Sequence, residues 1–536
     1  MNDSIPGGGS TAAGHAPART LVTLASGDFL GLEGRPVDVQ VDVTDHGGPK
    51  FAIVGLPGKS TRESRERIHT AIRNSGYGFP SLARILINLA PAAREKHGVG
   101  FDLPVALGIL IASGQVRLRG PRRSWGARLA RMGFLGELGL DGEVRPVRGA
   151  LLIADSLRRQ GIRECVVARG NAREVALLDD LDVLAVENLR EAVAGLHGDL
   201  TPCEGRGAVF ATTASRDFGE LNFADVRGQE TTKRACLIAA AGHHNLLLCG
   251  PPGVGKTMLA RRMPGILPPL SLPEAMEVLR VRSVLEGDDE LDLPRRRPFR
   301  APHHTISYAG LVGGGMAILP GEVTRAHRGI LFLDEFPEFP RRVLEALREP
   351  LEAEAITVGR STGSVTFPAS FLLVAAMNPC PCGYLGHPRR GCKCNPRAVE
   401  SYRQRISGPL SDRLDLFVRM GALGPAQIIG ARRRDELDSE AMAELVEKAR
   451  AQQESRWGGR MTNGQVPAQR LLRAEVVERE ALETLRRHAE RLCLSGRGFA
   501  RALRVARTVA DLEESALVGE RHVLEALQYR EAQAER

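Results

Sequence analysis

The sequence predicts an α/β chain in which buried strands deliver polar tips to one shared site, and three stretches predict it. Leu246–Thr257 reads LLLCGPPGVGKT, Gly329–Phe336 reads GILFLDEF, and Phe371–Asn378 reads FLLVAAMN. Each is an apolar run of strand length, the pattern of a strand buried on both faces of a parallel sheet. Each then ends in residues that can meet a phosphate, a cation or a water molecule.

Around these runs the chain divides in order. Residues 1–20 are small and polar with no apolar core, which predicts a disordered tail rather than a signal peptide. Residues 21–195 alternate strand-like words (VDVQVDVT, ARILINLAP) with helix-like ones (VALGILIASG, VRGALLIADSLRRQG), predicting an α+β domain. Residues 196–220 keep no periodicity and read as a linker, and 221–425 hold the three site-bearing stretches. Residues 426–536 are charged, with apolar residues at helical spacing, so a helical domain closes the chain. No internal repeat is evident.

The first stretch has the spacing of a phosphate-binding loop. Gly250, Pro251, Pro252, Gly253, Val254 and Gly255 form a turn whose backbone N–H groups can approach phosphates. Lys256 reaches the β and γ oxygens, and Thr257 supplies a hydroxyl for Mg²⁺. The cofactors implied are ATP and Mg²⁺. The second stretch brings Asp334 and Glu335 together at a strand end. One carboxylate there holds Mg²⁺ and the next polarises the attacking water, which favours hydrolysis. Asn378, tipping the third stretch, either orients that water and touches the γ-phosphate or caps the turn before Pro379.

Bulk properties narrow the class. The 536 residues are 43% hydrophobic and 26% charged, as in a soluble globular protein, and no apolar run is long enough for a membrane span. A cytoplasmic location is expected. The formal net charge of +9 admits an acidic partner such as DNA. Lysine occurs only at Lys50, Lys59, Lys96, Lys233, Lys256, Lys393 and Lys448, so arginine carries most of the charge. A composition bias would produce that as readily. Aromatic residues make up 4%, too few for evident base-stacking platforms, so DNA contacts would fall mostly on the backbone with weak sequence preference.

Nine cysteines in a reducing compartment argue against disulfides. Cys380, Cys382, Cys392 and Cys394 form two Cys-x-Cys pairs in CPCGYLGHPRRGCKC. They either close a tetrahedral zinc site, with His387 as a substitute ligand, or stay reduced in an ordered loop. His303 and His304 lack a nearby acid or cysteine in sequence and read as structural. Glu354–Phe371 reads as a hairpin with Arg360 at its turn as a DNA-contact candidate, and the basic run Pro294–Thr305 is either a second contact or a solvated loop.

Taken together, these words resemble the ComM/YifB family of magnesium-chelatase-like AAA+ ATPases. The resemblance rests on FADVRGQETTKRACLIAAAGHHNLLLCGPPGVGKTMLA, FRAPHHTIS, PGEVTRAHRGILFLDEF, AAMNPCPCG, SGPLSDRLDL and LSGRGFARALRVARTVADL, which follow the family's order. It implies a P-loop AAA+ core with a helical lid, and Walker A, Walker B and sensor 1 roles for Lys256 with Thr257, Asp334 with Glu335, and Asn378. It also implies an arginine finger at Arg413 and a sensor 2 arginine at Arg497, with Arg405 and Arg501 as alternative actors. Residues 21–195 resemble the Lon protease domain, but Gly100 stands at its serine position and Leu151 at its lysine position, so peptide cleavage has no nucleophile and no base. The resemblance implies a homohexameric DNA motor, a helicase or branch-migration enzyme of recombination or natural transformation. The alternative is a chelatase-type ATPase that remodels a protein partner.

Overall fold

The computed structural model describes residues 21–534 apart from 46–47, 93–94, 97–99, 120–121, 204–220, 287–290, 316–317, 361–362, 423, 425–436, 460 and 474. The predicted tail, most of the predicted linker and the 425/426 boundary therefore lie outside the described residues. The chain forms two compact units, Met1–Gly207 with Glu286–Leu291, and Ala208–Leu285 with Asp292–Arg536.

The first unit is built on a seven-stranded mixed sheet. Its spatial order is Lys50–Val54, Arg84–Ala90, Glu33–Thr44, Val22–Leu30, Met132–Leu135, Glu164–Ala168, Asp182–Val186. The word VDVQVDVT does what its alternation predicts: Val37, Val39 and Val41 are buried while Asp38 is exposed. Against that buried face lies the helix Asp102–Ala112, apolar on all sides and buried from Asp102 to Ile111. Gly108 permits the close approach, since a Cβ there would come within 2.6 Å of Val41 Cγ2. Asp102 is the one charge in this helix, and Arg67 Nε donates to it at 2.8 Å. Burial raises the Asp102 carboxyl above its usual range, with the Arg67 guanidinium opposing that rise.

The second unit carries a five-stranded sheet in the order Phe299–Arg300, Ile330–Leu333, Leu372–Met377, Leu246–Cys249, Leu416–Arg419. Every pairing is parallel. The three apolar stretches are its inner strands, buried on both faces, which is why their sequences run apolar without alternation. Parallel strands put all their C-terminal tips on one edge, where ligands of such sheets bind. The C-terminal helices Ser439–Trp457, Gly496–Leu512 and Glu520–Ala534 bury Val446, Val509 and Leu527 in the same core as Leu246, Leu248 and Leu259. Helical periodicity alone shows an apolar face, not its partner; here the partner is the P-loop sheet. Glu354–Phe371 contains an antiparallel hairpin, Ala355–Arg360 paired with Gly363–Pro368. Its turn and the Arg360 side chain lie outside the described residues. No helix among the described residues is long and apolar enough to cross a membrane.

Candidate nucleotide site and cysteine loop

The P-loop leaves its strand at Cys249 and turns through Gly253 and Gly255, whose φ of 80° and 95° are left-handed values that favour glycine. Lys256 opens the following helix, Lys256–Ile266. Its ammonium donates to the carbonyls of Gly250 at 2.6 Å and Pro251 at 3.0 Å, and to Asn378 Oδ1 at 3.0 Å. Burial pulls this ammonium below its usual pKa, and the Asp334 carboxylate works against that shift. Thr257 Oγ1 donates to Asp334 Oδ2 at 2.7 Å, so the hydroxyl and carboxylate assigned to Mg²⁺ already face each other. Phosphates and a cation need only replace bonds these four side chains make to one another and to the loop carbonyls of Gly250 and Pro251.

Glu335 follows with φ 51°, a left-handed backbone held by its own N–H bond to Asp334 Oδ1 at 2.9 Å. That turn sends the two adjacent carboxylates in different directions. Glu335 Oε2 meets His304 Nδ1 at 3.1 Å, and His304 stacks beside His303 with ring centroids 4.1 Å apart. Sequence reasoning missed His304. The histidine pair was visible, but its acidic partner comes from another strand end and no spacing rule connects them.

Two arginines of the basic run are held inside the fold. Arg297 Nε donates to Pro268 O at 2.6 Å, and Arg300 Nε donates to Glu322 at 2.7 Å.

Arg413 pairs elsewhere, with Glu352, and the Arg497 charge adds to the field there. Arg413 is 4% exposed; Nη1 donates to Pro409 O at 2.5 Å and Nη2 pairs with Glu352. The Arg413 guanidinium, with Arg497 adding to it, holds the Glu352 carboxyl below its usual range. Arg497 itself is exposed on the first turn of Gly496–Leu512, capped by Ser495. Of the alternatives, Arg405 Nη1 donates to Glu338 at 2.6 Å and Arg501 Nη1 donates to buried Asp415 at 2.7 Å.

The four clustered cysteines converge, their sulfurs all within 4.8 Å of one another. The Cys380, Cys382 and Cys392 sulfurs stand 3.4 to 3.6 Å apart. Zn–S bonds of about 2.3 Å in a tetrahedron put sulfurs about 3.8 Å apart, so the donor set fits zinc. His387 stays out of it, its Nδ1 accepting the Arg389 and Arg390 amides at 3.1 Å. Backbone N–H groups, that of Lys393 first, pull the Cys382 thiol down to about 6.

In the first unit a Cβ at Gly100 would lie 3.7 Å from the methyls of Val147, and Leu151 is fully buried. The two positions that the resemblance to Lon sets against its nucleophile and base are apolar packing here.

A parallel sheet in this strand order, with the P-loop on an inner strand, Asn378 on the adjacent strand and the acidic pair on the one beyond it, defines a P-loop protein of the AAA+ class. Comparison with known proteins narrows the class. Residues 222–428 match the family described as "Magnesium chelatase, subunit ChlI", 39–171 match "Subunit ChlI of Mg-chelatase", and 436–530 match its C-terminal region. The YifB protein of Salmonella typhimurium is 39% identical over 505 residues, covering 94% of this chain and 95% of its own. Competence protein ComM of Haemophilus influenzae is 37% identical over 516 residues, covering 95% and 97%. The magnesium-chelatase 38 kDa subunit of Cereibacter sphaeroides is 27% identical over 174 residues, only 29% of this chain and 52% of its own. The chain belongs to the ComM/YifB family of magnesium-chelatase-like AAA+ proteins.

Proposed function

We propose that the protein is an ATPase that assembles as a hexameric ring and moves along DNA, with helicase or branch-migration activity in recombination. The observation that carries the ATPase is the cradle itself: Lys256 against Asn378, Thr257 against Asp334, and Glu335 turned away beside them. When ATP binds, Lys256 exchanges its loop carbonyls for β and γ oxygens. Mg²⁺, held by Thr257 and Asp334, would neutralise charge developing on the phosphates. Glu335 takes the proton of the attacking water, and Asn378 orients that water. In this reading Arg413 leaves Glu352 to serve a neighbouring subunit's phosphate, which makes hydrolysis depend on the ring, and Arg497 acts as the sensor 2 arginine. The four cysteines take Zn²⁺, about one per chain.

The DNA assignment is supported by the name of the Haemophilus relative, a competence protein, by the net charge of +9, and by the hairpin Ala355–Pro368. The alternative, a chelatase-type remodelling ATPase, is favoured by the family descriptions, though the chelatase subunits match less than a third of the chain. ATPase rate with and without branched DNA separates them. Stimulation supports the motor. No response to single-stranded, duplex or branched DNA rejects it in favour of the remodelling enzyme.

A further inference from the structure

The cysteine loop sits directly on the nucleotide cradle. Asn378, which accepts the Lys256 ammonium, is separated from Cys380 only by Pro379. Past the first Cys-x-Cys pair, Gly383 (φ 81°) lies against the P-loop: a Cβ there would come within 2.7 Å of Pro252 Cδ and 2.9 Å of its Cγ. Where the loop returns to the fold, the Asn378 backbone N–H faces the Tyr402 oxygen, and Tyr402 is 5% exposed. Entry, middle and exit of the loop therefore each touch the ATP site.

Packing does not hold the loop in that position. Between Pro381 and Asn395 only Gly383 is buried, and the segment contains no helix or strand. Beside the contact, a cavity of about 510 Å³ separates Gly250 and Pro251 from Leu385, Gly386 and Pro388. A mostly exposed loop without regular structure, standing over a cavity, has little burial to offset its ordering entropy. Within it Arg390 Nη1 donates to the Tyr384 hydroxyl at 2.8 Å, and the four-sulfur cluster ties its two ends together.

We infer that the cysteine loop is a positioning element of the nucleotide site: zinc on its four thiolates fixes Gly383 against Pro252 and Asn378 against Lys256, so nucleotide affinity depends on the metal. This rests on the zinc reading given above. No group of the loop touches the reacting atoms; the loop acts through the P-loop and Asn378. Residues that orient a site from behind commonly change its affinity or activity by roughly 10–100-fold.

The test measures zinc content and nucleotide binding separately on the full chain. Zinc is counted by elemental analysis, and affinity is read from the fluorescence of a methylanthraniloyl ATP analogue with Mg²⁺. The wild-type protein should lose roughly 10–100-fold in affinity when chelation removes zinc and recover it when Zn²⁺ alone is restored. Gly383→Asn keeps a residue that tolerates left-handed φ but pushes on Pro252. It should retain zinc and still bind the analogue at least tenfold more weakly, with roughly the same loss of affinity as the stripped protein. Unchanged affinity both on zinc removal and in a zinc-replete Gly383→Asn protein overturns the positioning role while leaving the metal site standing. If the reduced protein carries no zinc, the metal reading fails, and the Gly383→Asn affinity alone then decides the positioning role.

Discussion

Replacing Arg413 by alanine tests the ring mechanism, because its structural and catalytic consequences differ widely in size. In the single chain Arg413 is an ion-pair partner of Glu352, whose carboxylate is 53% exposed. Loss of a pair with so wet a partner costs at most about 1 kcal/mol. A trans-acting arginine finger contributes about 10³–10⁵ in rate, and each tenfold is about 1.4 kcal/mol, so its loss costs about 4–7 kcal/mol of barrier. The Arg413→Ala protein, which also loses the bond to Pro409 O and the packing of a buried stem, should unfold at a somewhat lower temperature but stay folded at the assay temperature, while hydrolysing ATP at least about 10³-fold more slowly. Mixing it with Lys256→Ala subunits restores activity if the arginine serves a neighbour. In an equal random mixture about a quarter of interfaces join an intact P-loop to an intact arginine, since half of each is lost. Activity should then exceed that of either mutant alone by roughly two orders of magnitude. Both proteins must first be shown to form rings and exchange subunits. Given that, a mixture no more active than its parts means that Arg413 acts within its own chain or only structurally.

Three further outcomes follow from the contacts. Glu335→Gln should lower turnover by about 10²–10⁴ yet leave nucleotide affinity unchanged, because Lys256 makes none of its bonds to Glu335; retained turnover places the base elsewhere. His304→Ala should slow turnover by roughly tenfold at unchanged affinity, and saturation kinetics showing only a raised KM would remove its role in aiming Glu335. Burial lowers the pKa of His244 to about 4, its ring packed where Nε2 meets Thr508 Oγ1 at 2.7 Å. The fold keeps the neutral ring while the unfolded chain takes a proton below its ordinary pKa of 6.5, so this stability is full above 6.5 and drains away as pH falls toward 4. The loss is of order 3 kcal/mol, and urea midpoints against pH should flatten over that window in His244→Gln; an unchanged profile refutes it.

The parts of this fold that could be read from sequence are those whose burial is two-sided or strictly alternating. Leu246–Cys249, Ile330–Leu333 and Leu372–Met377 read as strands because nothing polar interrupts them, and Glu33–Thr44 because every second residue points inward. The tips of the inner strands were legible for a related reason: Lys256, Thr257, Asp334, Glu335 and Asn378 each follow an apolar run within a residue or a short glycine turn. What stayed hidden depends on contacts between distant segments. His304 beside Glu335, Gly383 beneath Pro252 and the Arg413–Arg497–Glu352 group each join residues whose separation in sequence carries no periodic signal.

Asn245 shows the same limit in a single residue. No spacing in the sequence connects it to its partners. In the structure its backbone N–H donates to Asp415 Oδ2 at 2.9 Å, its Nδ2 donates to the carbonyl of Arg413 at 2.9 Å, and its Oδ1 accepts from Leu373 at 3.0 Å. The strand Leu246–Cys249 thus has Asn245 and the Arg413 backbone at one end and the P-loop at the other. Four residues, three of them buried, in a parallel ladder on both sides make a stiff link. The arginine that would serve a neighbour's phosphate is referenced to its own subunit's P-loop through that link. In the ring we propose, that link would give each nucleotide site a short covalent and hydrogen-bonded path to the arginine that serves the next, leaving the strand at Asn245.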